Sequence, residues 1–399
     1  MCAILAALLF RWLHKRTFNP ATIFLGMLGL QLAIYTAMAG TIYSQLSAQT
    51  LFAVSSSLLG FLVGYTLFLS MGLPITLRWL GKRQLFLPLH PRTGQRLFRF
   101  ALVSSLVAAA WHTWSGMSNI ADGATGDSLL DLRLVYLENL DSFGLAPHVA
   151  IFAQFLLLYL YLSGYRQRVA MTLMVIVTIY CAIWKMERSA IIMAGFSALT
   201  AIEMQQGALP FKKFALVLLA AVGIFGLVAS LRDGWDSATD ILFLMLDYFA
   251  KNLQNFETFV VGRSPIGGLD LLLGKYATTF GAATVDQSIG QDDYFNTYSY
   301  LRQVYMFGGA WFCPVFGFIV GAVSSIFYNF GVVRNHALAT IYCFVAFALF
   351  LTFFDYAFSW TNWAYYVISA VLVQVLIKKN RVKITHDPRA QLDSAALAQ

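Results

Sequence analysis

Long apolar segments separated by short polar connections are the dominant pattern along this chain. The apolar segments show no period-2 alternation, so they predict α-helices rather than strands. Within a bilayer only helices or closed barrels satisfy the backbone, and about 20 apolar residues cross it. The pattern predicts ten spans, near residues 21–40, 56–77, 97–114, 147–163, 169–184, 189–204, 214–230, 303–327, 337–354 and 362–377.

The predicted fold is therefore an all-α polytopic membrane protein, a single integral membrane domain over residues 1–399 with about 10–11 transmembrane helices. Residues 1–10 are apolar, but ten helical residues cover only about 15 Å. We expect them to form an interfacial or partial helix, or to be the remnant of a longer start, and not a cleaved signal peptide.

Two connections, residues 115–146 and 231–302, are long, and structureless loops of this length are uncommon unless functional. Both carry helical patterns. In residues 240–260, polar positions recur every three or four residues, at Asp247, Lys251, Asn255 and Thr258. This pattern fits a helix in the membrane interface, or equally a helix packed on others with its polar stripe outward. Residues 127–144 predict a shorter helix with Gly144 at its end.

The low content of charged residues and the distribution of Lys and Arg support the membrane assignment and orient the chain. Only 12% of residues are charged, against about 25% in soluble domains. The strongly basic connections all fall on one predicted side, which holds 19 of the 27 Lys and Arg residues. By the positive-inside rule that side, including the tail 378–399, is cytoplasmic. The net charge of +8 then reflects topology, and we expect no nucleic-acid partner.

Metal and cofactor signatures are missing from the sequence. The six histidines are scattered without an HExxH pair, and the four cysteines show neither zinc spacing nor a disulfide framework. We therefore predict no metal site and no cofactor.

Arginines and aromatic residues collect on the predicted extracytoplasmic side. Planar guanidinium groups bind phosphate bidentately, and aromatic rings offer apolar faces to sugars. The turn WKMERSA belongs to this set because the predicted spans beside it, about 24 Å long, would draw Glu187 and Arg188 below the membrane surface. An interfacial anchor is the alternative interpretation. The arginines are Arg133, Arg188, Arg232, Arg263 and Arg302.

The stretch FNTYSYLRQVYMFGG, after the late loop, resembles the O-antigen and oligosaccharide repeat-unit polymerases of the Wzy type. The matching positions are Asn296, Thr297, Tyr298, Tyr305, Phe307 and Gly308. Met306 departs from the family pattern, which often has Asp there. Arg-x10-Gly spacings in the two long loops, Arg133/Gly144 and Arg263/Gly274, also resemble the family, although chance supplies about one such match.

The resemblance implies a GT-C-like glycosyltransferase on the periplasmic face of a bacterial inner membrane. It would polymerise undecaprenyl-diphosphate-linked repeat units by an inverting, metal-independent displacement, beside membrane lipids and a chain-length regulator. The implied general bases are Glu187, Asp292 and Asp293, the last two of which are equally well explained as helix caps. The implied substrate-binding residues are Arg133, Arg188, Arg263, Arg302, Asn296, Tyr298 and Tyr305.

Other activities remain open at this level. An O-antigen ligase would use the same donor, but we expect it to need a histidine in the late loop, and residues 231–302 contain none. A lipid-linked oligosaccharide or solute transporter usually shows internal repeats, which we do not detect. A membrane acyltransferase is disfavoured because His112 and His148 lie at span edges without an obvious partner.

Overall fold

The computed structural model describes residues 2–14, 16–80, 89–122, 143–185, 188–207, 219, 223, 238–262, 300–332, 336–353 and 362–384. This part of the chain is 89% helical. In order, its helices are α1 Cys2–His14, α2 Pro20–Met38, α3 Ala48–Leu80, α4 Pro91–Asp122, α5 Ala146–Leu162, α6 Gln167–Lys185, α7 Arg188–Gln206, α8 Ala238–Gly262, α9 Leu301–Gly308, α10 Phe312–Val332, α11 His336–Phe350 and α12 Asn362–Ile384. A 3₁₀ turn, Leu351–Phe353, follows α11.

Four of these helices contain segments long and apolar enough to cross a membrane. The segments are Pro20–Met38, Ala48–Ser70, Gln167–Lys185 and Phe312–Asn329. This confirms the all-α membrane class. The predicted span 214–230 lies outside the described residues, apart from the helical positions 219 and 223.

The predicted span at 303–327 is confirmed from residue 312 onward, but its predicted beginning is wrong, because two helices cover this range. The helix α9 ends at Gly308, and Gly309 takes a left-handed φ of 68° before α10 begins at Phe312. Glycine adopts this conformation without steric cost, so the pair Gly308–Gly309 ends α9. The helix that carries Arg302 begins at Leu301.

The two helices beside the WKMERSA turn are longer than predicted. Both α6 and α7 have 19 residues, about 28 Å each, which is close to the hydrocarbon thickness. Their ends include polar residues that the apolar pattern left out, such as Gln167 and Gln206. The length argument for burying the turn below the membrane surface is therefore wrong.

The chain folds into two compact units. Unit 1 contains α1, α2, α3, α7, α8, α9, α10 and residues 342–353, and unit 2 contains α4, α5, α6, α12 and residues 336–341. In unit 2, α5 packs against α4, α6 and α12. Its sequence APHVAIFAQFLLLYLYL is apolar on every face, and a helix of that kind belongs in the interior.

The tightest helix pair in unit 1 is α3 with α10. Glycines four residues apart lie on both helices, in GFLVG (60–64) and GFIVG (317–321). A Cβ at Gly60 would lie 2.0 Å from the carbonyl oxygen of Pro314, and one at Gly317 would lie 2.2 Å from that of Ser57. Small residues at this spacing let two helix backbones approach closely.

The N-terminal helix α1 packs against α2. Gly29 faces Ala3 and Ile4, and Thr22 donates a hydrogen bond to the Ala7 carbonyl oxygen at 3.2 Å, so the two helices run antiparallel. Asn19 caps α2 by accepting a bond from the Thr22 N–H at 2.9 Å. The predicted partial helix at residues 1–10 is thus a 13-residue helix docked on the first span.

Candidate functional site

The described part of the candidate site centres on Arg302, in the short helix α9. Arg302 is only 3% exposed, and its guanidinium carbon lies 5.6 Å from the centre of the Phe259 ring on α8. Aromatic faces attract cations at this distance. The sequence predicted Arg302 and Tyr305 as substrate-binding residues, and the structure places both on this one buried helix.

Tyr300 fixes the start of α9. Its hydroxyl is hydrogen-bonded to that of Ser57 on α3, and its N–H donates to the Thr352 carbonyl oxygen at 3.2 Å. Its ring lies against Phe24 and Phe316. Because Tyr300 is fully buried and contacts α2, α3, α10 and the 3₁₀ turn, the backbone entering Arg302 is held by four other elements.

Tyr305 joins α9 to the first turn of α3. Its hydroxyl accepts a hydrogen bond from the Gln49 Nε2 at 2.6 Å. Its ring meets Phe256 and Phe259 of α8 edge to face, with centroids 5.9 and 6.1 Å away. This geometry is favourable for aromatic pairs. Sequence reasoning missed Gln49, since nothing in its own neighbourhood distinguishes it.

A capping arrangement joins α3 to α8. Ser47 precedes α3, and its Oγ accepts a bond from the Thr50 N–H at 3.2 Å, as an N-cap does. The Glu257 carboxylate of α8 accepts both the Ser47 N–H at 3.0 Å and the Ser47 Oγ–H at 3.1 Å. In an ordinary capping box the glutamate comes from the capped helix itself. Here a different helix supplies it.

Further polar residues of α8 bind the connection between α2 and α3. The Tyr43 hydroxyl donates to Asp247, and Gln254 Oε1 accepts from the Tyr35 hydroxyl at 2.6 Å and the Ser44 N–H at 3.2 Å. Burial, and then the Asp247 carboxylate, raise the pKa of Tyr43. The helix predicted at 240–260 is confirmed, and it packs on α2, α3 and α9.

The expected outward direction of its polar stripe is wrong for Asp247. That carboxylate points to Tyr43, and the amide of Gln31 on α2 donates to the Phe249 carbonyl oxygen at 2.9 Å. Since the helix packs in this way along α2, the alternative of a helix packed on other helices fits better than an interfacial one.

The remaining predicted site residues cannot be placed against Arg302. Arg188 is the first residue of α7, and its side chain is outside the description. The others lie outside the described residues: Arg133, Glu187, Arg232, Arg263, Asp292, Asp293, Asn296 and Tyr298.

A second buried polar cluster lies where α1 turns into α2. Glu203 of α7 is 2% exposed and accepts the N–H groups of Thr17 and Phe18 at 2.6 and 2.5 Å. The Phe18 carbonyl oxygen accepts from the Tyr342 hydroxyl at 2.5 Å. The sequence pattern gave no sign of a role for Glu203. The structure makes it the acceptor that holds the turn after α1.

His14, at the end of α1, belongs to the same cluster. Its Nε2 lies 3.3 Å from the Tyr65 hydroxyl, and its ring stands edge to face with Tyr328. Burial, and then the charge of Arg16, lower the pKa of His14. The neutral imidazole is therefore the form that this environment favours.

The two histidines weighed for an acyltransferase have structural contacts within unit 2. His112 Nδ1 lies 2.8 Å from the Ala108 carbonyl oxygen, one turn back in α4. The His148 ring stacks on Tyr365 of α12 at 4.3 Å. Within the described ranges, no group of three or more His, Cys, Asp or Glu residues has the arrangement needed for a metal ion.

The geometry thus gives a buried arginine against the face of the Phe259 ring, with hydroxyl, amide and carboxylate groups joining α3, α8 and α9 nearby. Such an arrangement suits the binding of an anionic group with polar substituents. No protein-family model, curated protein or solved structure matches the chain.

Proposed function

We propose that this protein is a membrane glycosyltransferase that polymerises undecaprenyl-diphosphate-linked oligosaccharide repeat units. The observation that supports it most is the burial of Arg302, 3% exposed, beside Phe259 in a helical membrane protein. A charge in such a place is costly and generally marks a functional site. Diphosphate is a fitting partner, since guanidinium groups bind its oxygens bidentately.

The reaction is a displacement at the anomeric carbon of the donor sugar. The acceptor hydroxyl oxygen forms the new bond to that carbon, while the bond from the carbon to the diphosphate oxygen breaks. Undecaprenyl diphosphate leaves with the electron pair, and a carboxylate takes the acceptor's proton. One such step inverts the anomeric configuration.

Arginines stabilise the charge that develops on the leaving diphosphate. We assign this role to Arg302, with Arg188 and Arg263, and give the acceptor lipid or glycan to Arg133. Asn296, Tyr298 and Tyr305 would orient sugar hydroxyls. The arginines take the place that a divalent metal has in other diphosphate chemistry, so the reaction is proposed to need none.

The base is proposed to be Glu187, Asp292 or Asp293. The described carboxylates are less suitable, because each has a structural bond. Asp247 accepts from Tyr43, and Glu257 caps α3 through Ser47. Glu203 holds the turn after α1.

The proposed setting is the bacterial inner membrane, with the Arg302 site on the periplasmic side and the tail 378–399 in the cytoplasm. The excess of basic residues on one predicted side supports this orientation. A separate protein would regulate chain length, and donor and acceptor would both come from the membrane.

The direct test is reconstitution of the purified protein in liposomes with lipid-linked repeat units and no other enzyme. We expect a ladder of lengthened chains that persists in EDTA and is lost in Arg302→Met, with partial activity in Arg302→Lys. Loss of the ladder in EDTA contradicts the metal-free mechanism. Absence of any ladder, together with uptake of a solute or transfer to a lipid A core, contradicts the polymerase.

A genetic test complements it. In the cells that make this protein, disruption of its gene should leave surface glycolipids with a core and a single repeat unit. Bare core would indicate a ligase, and an unchanged glycolipid pattern would contradict both.

A further inference from the structure

We infer that Gln49 and Phe259 are positioning residues that hold Arg302 in the orientation that binds diphosphate. The inference rests on the proposed function of Arg302, and it assigns a role to two residues that lie far from it in sequence. Gln49 acts through Tyr305, and Phe259 acts through direct contact with the guanidinium group.

The Arg302 guanidinium lies against one aromatic side chain, Phe259, that packs on a second one, Tyr305. Phe259 of α8 presents its ring face to Arg302 at 5.6 Å. Tyr305 follows Arg302 by three residues in α9, so both side chains lie on the same face of that helix. The Tyr305 ring in turn meets the Phe259 ring edge to face. Arg302, Phe259 and Tyr305 therefore form one contiguous packed group.

Tyr305 is held by ring packing and by one hydrogen bond. The Phe256 ring packs edge to face against the Tyr305 ring and restricts its movement. The hydrogen bond from Gln49 Nε2, 2.6 Å long, restrains the Tyr305 hydroxyl. Gln49 lies in the first turn of α3, which the Ser47 cap stabilises. A change of the Tyr305 χ1 rotamer would break the Gln49 bond and disturb the packing against Phe259.

Both α8 and α9 are bonded to the start of α3. Glu257 is bonded to Ser47, and Gln49 is bonded to Tyr305, so the α8 and α9 sides of the Arg302 group are both tied to three consecutive residues, 47–49. The first turn of α3 is thus the common support of the arginine. Movement of that turn would move Phe259 and Tyr305 together.

Positioning matters for an arginine more than for a point charge. A bidentate bond needs the plane of the guanidinium aligned with two phosphate oxygens. Orientation held before binding also reduces the entropy lost on binding. Loss of the Gln49 bond should therefore weaken diphosphate binding even though Gln49 itself is not the ligand of the phosphate.

The test measures equilibrium binding of undecaprenyl diphosphate to the purified protein in detergent, with chain lengthening measured beside it. We expect Gln49→Leu, Tyr305→Phe and Phe259→Leu each to weaken binding about tenfold. Gln49→Glu should restore most of the affinity, because its carboxylate accepts a bond from the Tyr305 hydroxyl. The double variant of Gln49→Leu and Tyr305→Phe should be no weaker than either single variant.

Gln31→Leu is the matched control. It also removes a glutamine amide that is bonded to α8, at the Phe249 carbonyl oxygen, but it is not part of the Arg302 group. We expect Gln31→Leu to lower thermal stability and leave the affinity for undecaprenyl diphosphate unchanged. If the Gln49 variants lost affinity only because the protein is less stable, Gln31→Leu would lose affinity for undecaprenyl diphosphate as well.

Two results would overturn the inference. One is wild-type affinity in Gln49→Leu while Arg302→Met loses binding, which leaves the proposed function standing. The other is a double variant whose loss is the product of the two single losses, since Gln49 would then act independently of Tyr305. Failure of the wild-type protein to bind undecaprenyl diphosphate would instead count against the proposed function.

Discussion

A Cβ atom added to Gly60 of α3 would lie 2.0 Å from the carbonyl oxygen of Pro314 on α10. Real Cβ atoms do not approach oxygen this closely, so the two helices can pack at this distance only because residue 60 is glycine. The same holds at Gly64, where the distance to the Phe318 carbonyl oxygen is 2.2 Å. The backbone itself forms the contact, and no side-chain rotation can relieve an added methyl group.

We expect Gly60→Ala to destabilise the protein by about 1–3 kcal/mol or more, since overpacking at a rigid backbone contact has no relaxation path. The apparent melting temperature in detergent measures this. Gly26→Ala on α2 is the matched control, because the nearest atom to its Cβ would be Ala7 Cβ at an ordinary 3.8 Å. Alanine favours a helix over glycine, so the control should be neutral or slightly stabilising. Equal melting temperatures for the two variants would contradict the close α3–α10 contact.

We expect Ser47→Ala to lower stability by about 1 kcal/mol, because it removes the N-cap of α3 and one bond to Glu257. Glu257→Gln should have a smaller effect, since its amide oxygen still accepts the Ser47 N–H. The double variant should be less harmful than the sum, because both residues belong to one cap. Ser55→Ala, at an exposed position on the same helix, is the control. Additive losses would show that the cap and the carboxylate act separately.

We expect Glu203→Ala to cost about 2 kcal/mol or more, because the N–H groups of Thr17 and Phe18 lose their acceptor in a buried place. Hydrogen exchange at those two amides should accelerate at the same time. Gln206→Ala, exposed near the end of the same helix, should change neither measurement. Unchanged exchange in Glu203→Ala would mean that the turn after α1 is held by other contacts.

The stability of the protein should fall as the pH drops below about 6.5, in part through His14. Its pKa is lowered by burial and by Arg16, so the unfolded chain takes up a proton before the folded one does. The contribution is complete above the unfolded pKa and is lost as the pH falls towards the folded pKa. Other groups titrate in the same range, so the comparison must be with a variant.

The variant is His14→Phe, which keeps an aromatic ring against Tyr65 but does not titrate. We expect its melting temperature to fall less than that of the wild-type protein between about pH 7.5 and about pH 5.5. An identical fall in both proteins would show that His14 takes no part in the acid sensitivity.

Much of the helical framework follows from local pattern alone. The helix α5 is apolar on every side and is buried on almost every side, as expected from APHVAIFAQFLLLYLYL. The sequence FGG also indicates a helix end at Gly309. The apolar residues on both sides of it favour one continuous span instead, and that is why 303–327 is predicted as a single helix. Apolar runs do not include the polar residues at helix ends, so α6 and α7 are longer than their apolar segments indicate.

The site was less predictable, because its bonds join residues far apart in sequence. Ser47 and Glu257 are separated by 210 positions, and Gln49 and Tyr305 by 256. No periodicity relates such residues. Arg302 was identifiable because a charge next to an apolar run is unusual, whereas Gln49 and Glu257 have ordinary neighbours on their own helices. The paired GFLVG and GFIVG segments do indicate the α3–α10 contact in the sequence, because glycines four residues apart favour close helix packing.

The two glycine pairs also bear on how this protein would diverge over evolutionary time. Val63 lies between Gly60 and Gly64 on α3, and Ile319 lies between Gly317 and Gly321 on α10. Both side chains are exposed. Any apolar side chain suits a lipid environment, so these positions tolerate substitution, whereas the paired glycines do not. We expect distant relatives to share little letter-by-letter identity here and yet to keep two small residues four apart on each helix. The four-residue spacing of these small residues should therefore identify related proteins better than overall sequence identity does.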